Sequence, residues 1–212
     1  MELLSLDHVA LWVADRQRVA AAAVERLGVR VIEQTDRFTL LGADPRRGKL
    51  TLFDAEGPRE RGALARVGFR VDSLDGRDPV VDLGEGLEVA LVEAATDTEF
   101  DLDHVALVAR DPDAAAAGWQ QLGFEPAGSR RVEVGGAFVE LLPGDPGEPE
   151  RPLLNHIGVL VESVAEQQAA AEDLGVEIDE MVDAPNTLAL FVWGPDRVKL
   201  EYIEHKPSFS LS

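Results

Sequence analysis

Leu6-Asp7-His8-Val9-Ala10-Leu11 recurs letter for letter at Leu102-Asp103-His104-Val105-Ala106-Leu107, and a looser copy stands at Leu154-Asn155-His156-Ile157-Gly158-Val159. Each histidine sits in an apolar, β-branched run, which places it on a strand with its ring on the face shared by the residues two away. The chain has four histidines, and three of them occupy equivalent positions. Packing gives no reason for that coincidence. A metal ion shared with carboxylates from the ends of the same repeats does.

Outward from each histidine the repeats stay in step. A helix is expected before Leu27-Gly28, before Leu122-Gly123 and before Leu174-Gly175. Asp15, Asp111 with Pro112, and Ser163 with Glu166 are the capping residues at their starts. Alanine-rich bodies and Leu-Gly endings suit helices closed by a left-handed residue. Extended runs follow: 29–32, 38–41 and 50–53; then 125–132 and 137–142; then 176–178, 187–193 and 198–203. The unit is therefore β-α-β-β-β. A weaker copy fits at residues 63–93, opening on 65–71 and closing on 87–92, its helix reduced to a turn around Asp75-Gly76-Arg77-Asp78-Pro79.

The expected class is α+β: four βαβββ modules, at about 6–54, 63–93, 102–143 and 154–204, paired into two domains at 1–95 and 100–212. The acidic segment 94–99 joins the domains, and the Gly- and Pro-rich loop 143–150 separates the last two modules. One such module cannot bury both faces of its sheet. Two side by side make a curved mixed sheet with helices outside and a cleft inside.

Composition removes several functions. There is no cysteine, so any metal is held by imidazole and carboxylate, and thiol catalysis is excluded. Forty acidic against 20 basic residues give a formal charge of −20, which repels nucleic acid and anionic membranes. No apolar stretch is long enough to span a bilayer and the first residues lack the pattern of a signal peptide, so a cytoplasmic protein is expected. The expected partner is a small-molecule substrate, with a second copy of the chain, in a homodimer, as the other candidate.

The repeats and their histidines resemble the vicinal oxygen chelate superfamily, which contains glyoxalase I, methylmalonyl-CoA epimerase, extradiol dioxygenases and bleomycin-resistance proteins. The resemblance covers nearly the whole chain. It implies metal ligands on the first and last strands of a module: His104 and His156 on opening strands, Glu140 and Glu201 on closing strands. It also implies one divalent ion, of Fe, Mn, Ni, Co or Zn. Two imidazoles and two carboxylates suit such an ion; without Glu140 the set becomes the two-histidine, one-carboxylate arrangement of non-haem iron enzymes. The first half departs from the pattern, with Thr51 on its closing strand, Arg66 at an opening position and Glu88 as its one candidate carboxylate. It reads as a degenerate partner domain, with His8 structural, His205 solvated and Tyr202 packed under the sheet.

Three functions follow. Lyase or isomerase chemistry on a substrate with adjacent oxygens, with Glu140 or Glu201 as catalytic base, leads. Extradiol ring cleavage is the alternative, weakened by the lack of a spare histidine. A non-catalytic, resistance-type binding protein is the third. Trp119, Phe138, Phe191 and Trp193 are the candidate cleft residues.

Overall fold

A computed structural model of the chain describes residues 1–210. The first module comprises β1 (Ser5–Val13), α1 (Arg16–Arg26), β2 (Arg30–Gln34), β3 (Phe38–Gly42) and β4 (Lys49–Asp54). The second has β5 (Leu64–Val71), β6 (Val80–Asp82) and β7 (Glu88–Glu93), with a turn at Asp75 and Gly76 where the others have a helix. The third runs through β8 (Asp101–Ala109), α2 (Pro112–Gln121), β9 (Glu125–Pro126), β10 (Arg131–Val134) and β11 (Ala137–Pro143). The fourth has β12 (Leu154–Leu160), α3 (Val164–Leu174), β13 (Ile178–Asp183), β14 (Thr187–Trp193) and β15 (Lys199–His205).

Local chemistry sets the helix ends. Asp15, Asp111 and Ser163 accept from the backbone N–H three residues on, at 3.0, 3.0 and 3.2 Å, so each satisfies an otherwise orphaned donor. Gly175 closes α3 at φ 68°, a conformation open to glycine at little cost. The strand after it begins at Ile178 rather than Val176, because residues 176 and 177 are used in leaving the helix.

The modules do pair into two α+β sheets, but the sheets cut across the expected division at residues 95–100. One has the order β13-β14-β15-β12-β1-β4-β3-β2 and joins the fourth module to the first. The other, β6-β7-β5-β8-β11-β10-β9, joins the second to the third. The opening strands make both seams, β1 antiparallel to β12 and β5 antiparallel to β8.

Glycine decides what fits at each seam. The His8 ring lies across Gly158, where a Cβ would stand 2.4 Å from it, and the His104 ring lies across Gly68, where a Cβ would stand 2.3 Å away. Any larger residue there displaces the histidine. A continuous apolar core beneath the sheets includes Trp119 and Tyr202; the Tyr202 hydroxyl donates to the Leu122 carbonyl at 2.9 Å. Tyr202 thus lies under the sheet as expected, whereas Trp119, read as a cleft candidate, is buried in the core.

Candidate metal centre

Strand register fixes which side chains meet. Ala10 pairs with Thr51 on one side and with His156 on the other, while Gly158 pairs with Glu201. His8, Thr51, His156 and Glu201 therefore occupy the four equivalent positions on one face of the first sheet. Ala106 pairs with Glu140 and Arg66, and Gly68 with Ala90, so the second sheet carries His104, Glu140, Arg66 and Ala90 at the same four positions.

The expected set of His104, Glu140, His156 and Glu201 is thus divided between two sheets. His156 and Glu201 come together with His8, the residue read as structural, while His104 and Glu140 lie on the other sheet. Glu140 stands 3.8 Å from the Arg131 guanidinium. Glu88, the other carboxylate considered, is exposed and pairs with Arg61 at 2.7 Å.

The geometry of the three fits a metal ion. His8 Nε2 and His156 Nε2 are 2.9 Å apart, and Glu201 Oε2 is 3.0 Å from each. With metal–donor bonds of about 2.1 Å, neighbouring ligands of an octahedral ion are about 3.0 Å apart and those of a tetrahedral ion about 3.4 Å. The triangle matches one octahedral face. All three side chains are buried, and Glu201 Oε2 accepts a well-directed hydrogen bond from neither ring.

Bulges orient the rings. The β1 register slips between Leu6 and His8, and the β12 register slips at Asn155, so the residue before each histidine is free to turn toward the ring. Asp7 Oδ1 lies 2.7 Å from His8 Nδ1, and Asn155 Oδ1 lies 3.1 Å from His156 Nδ1. With both Nδ1–H groups donating to those oxygens, both Nε2 lone pairs face Glu201, an arrangement that suits a cation. Buried Asp7 is itself held by Lys49 Nζ at 2.9 Å and lies 3.2 Å from His205 Nε2. His205 is therefore not simply solvated; its ring also stacks on Phe209 at 4.0 Å.

In the metal-free centre a proton takes the cation's place. Burial opposes charge on His8, but the Glu201 and Asp7 carboxylates outweigh it and raise its pKa to about 9. Burial likewise favours the neutral acid of Glu201, and the two imidazoles bring it down to about 2. His156 is shifted downward, chiefly by burial. Burial favours the neutral acid of Asp7, but Lys49, His205 and His8 together outweigh it and hold the group far below the carboxylate range.

Aromatic side chains surround the triad. Phe191 meets His156 edge-on at 5.1 Å, Phe53 lies 6.3 Å from it, and Trp12 packs on Phe53 at 5.5 Å. A cleft of about 380 Å³ opens beside Asn155, between Trp12 and Trp193, with Lys199 on its wall and Pro146 to Pro149 over it. Lys199 Nζ sits 4.7 Å from the Trp193 ring and 2.6 Å from Asp179. Asp7-His8 and Asn155-His156 each supply a side-chain acceptor directly before the ring, but Asp103-His104 does so too, at 2.8 Å, so the sequence holds no local signal that separates His8 from His104.

The fold matches solved structures closely. A "putative dioxygenase" from Bacillus subtilis superposes with a TM-score of 0.78 at 15% identity, covering 97% of this chain and 86% of that one. Glyoxalase I from Zea mays gives 0.72 at 16% identity over 94% and 92%. The cppA protein from Streptococcus pneumoniae gives 0.63 at 14% over 96% and 98%. No family model and no curated protein sequence matches the chain. The resemblance expected from the repeats is thus present in the fold, which is that of the glyoxalase and dioxygenase neighbours. No described helix is long and apolar enough to cross a membrane.

Proposed function

We propose that the chain is a mononuclear metal enzyme in which His8, His156 and Glu201 hold one divalent ion, with iron(II) favoured, and that it acts oxidatively on an aromatic or apolar substrate bearing two adjacent oxygens. The observation that carries this is the triangle of three donor atoms with sides of 2.9 to 3.0 Å. It has the composition and shape of the facial triad of non-haem iron oxygenases. When bound, such an ion supplies Lewis acidity toward chelated oxygens and a means of activating dioxygen.

Lyase or isomerase chemistry was expected on two grounds, a four-ligand set with a labile glutamate and the lack of a spare histidine; the second still stands, since His104 lies on the other sheet and His205 faces Asp7. Thr51 now stands at the fourth position, buried and without a carboxylate. The remaining residues orient and enclose. Asp7 and Asn155 fix the two rings, Phe53 and Phe191 pack around His156, Trp12 and Trp193 offer flat apolar walls to the cleft, and Lys199, paired with Asp179, puts a cation on its wall. The burial that shields Glu201 also strengthens electrostatic interactions inside the site.

The test is anaerobic reconstitution with iron(II), manganese, cobalt, nickel or zinc, followed by oxygen uptake with a panel of catechols and by non-oxidative assays with α-keto aldehyde hemithioacetals. Oxygen uptake that needs both iron(II) and a catechol is the expected result. Non-oxidative turnover with nickel, cobalt or zinc and no oxygen uptake would return the reading to lyase or isomerase chemistry.

A further inference from the structure

The second sheet repeats the scaffold of the metal centre with its charge altered. His104 keeps the geometry of His8: its Nδ1 lies 2.8 Å from Asp103 Oδ2, a register slip again freeing the preceding aspartate, and its ring lies over Gly68 as that of His8 lies over Gly158. Arg66 stands where His156 stands in the first sheet, and Ala90 where Glu201 stands. A site built this way rejects a metal cation and attracts an anion.

Two atoms here are buried and without partners, His104 Nε2 and Arg66 Nε. His104 is only 6% exposed. Among the described residues the ion pairs of this region belong to Arg61, Arg70 and Arg131, none to Arg66. Arg66 is part-exposed, so its cost is confined to the buried Nε–H, a donor that lacks an acceptor unless something else binds it. Phe138 stacks on the His104 ring at 5.1 Å and 14°, and the Arg131 guanidinium lies over Phe138 at 3.8 Å, so the face has an aromatic wall backed by a second cation. Glu140 shares the face, with Arg131 3.8 Å from its carboxylate.

We propose that this second face binds a small hydroxy acid, its carboxylate on the Arg66 guanidinium and its hydroxyl donating to His104 Nε2. With Nδ1–H committed to Asp103, Nε2 is a hydrogen-bond acceptor, which suits a hydroxyl; the planar fork of Arg66 suits a carboxylate. The site needs no metal and stands independently of the chemistry proposed for the first sheet.

The experiment is a calorimetric titration of the chelator-treated full chain with glycolate, using acetate and inorganic phosphate as comparison probes. Removing metal first keeps the hydroxy acid from chelating an ion at His8, His156 and Glu201. One saturable glycolate site is expected, unchanged in His156→Ala, about tenfold weaker in Arg66→Gln, and largely retained in Arg66→Lys. Acetate, lacking the hydroxyl, is expected to bind several-fold more weakly. The Arg66→Gln variant should melt no lower than the parent, because it loses no partner; a strongly lowered melting temperature would make Arg66 structural and overturn the proposal. So would no saturation by about 10 mM glycolate, equal affinity in Arg66→Gln, loss of binding in His156→Ala, acetate binding as well as glycolate, or phosphate binding more tightly than glycolate.

Discussion

His8 and His156, 148 residues apart in the chain, point their Nε2 atoms at each other across 2.9 Å, each ring backed by the side chain of the residue before it. A carboxylate oxygen lies 3.0 Å from both, so the three donor atoms form a buried cluster that could hold a metal ion.

Replacement of either histidine should therefore remove the metal. His8→Ala and His156→Ala are each expected to abolish binding of one equivalent of divalent ion, while His104→Ala on the other sheet leaves it intact. Elemental analysis after dialysis against a weak chelator measures this. Retention of metal by His8→Ala would place the centre elsewhere.

Asp7 stands behind His8 and would act on a bound ion through it. Asp7→Asn should lower metal affinity about 10- to 100-fold, the usual effect of removing a carboxylate behind a ligating imidazole. It should also destabilise the fold by about 3 kcal/mol, because buried Lys49 loses the carboxylate 2.9 Å away. Competition with a fluorescent chelator and denaturant unfolding separate the two effects.

Metal uptake must displace the proton that His8 holds at neutral pH, its pKa being raised to about 9. Apparent affinity should rise about tenfold per pH unit from about pH 6 to 8, with one proton released per ion. Without metal, the His8 contribution to stability is fully present below its unfolded value of 6.5 and is lost as pH rises through about 9. That of Glu201 is present above 4.5 and is lost as pH falls through about 2. Buried His156, shifted downward, opposes folding as pH falls below 6.5, so the metal-free protein should be most stable near pH 6.5 and weaken toward alkaline pH, whereas the metal-loaded protein should not. Thermal melts of both forms across the range decide it.

Gly158→Ala should drive a Cβ into the His8 ring and cost about 1–3 kcal/mol together with the metal. Gly68→Ala should cost a similar amount at the His104 ring and leave metal content unchanged. Melting temperature and elemental analysis on the same two preparations show whether the two effects separate in this way.

Much of this molecule is local and was legible in its letters. The identical hexapeptides, the Asp15, Asp111 and Ser163 caps and the Leu-Gly helix endings specify βαβββ modules, because capping and strand alternation depend on residues a few positions apart. His156 and Glu201 were recognisable as opening- and closing-strand positions of one module, since parallel pairing of β12 with β15 follows from the module itself.

Which module completes the site was not local. The histidines of the first and third modules each need a glycine on the neighbouring opening strand, and Gly68 and Gly158 both provide one. The sequence is thus compatible with pairing neighbouring modules within each half or with joining the chain's ends. Only the assembled sheets chose the second, setting β1 against β12 and β5 against β8. That choice brought His8 to His156 and Glu201 and placed His104 on the strand beside Arg66, because long-range pairing is decided by how whole sheets close over a common core rather than by any segment's own pattern.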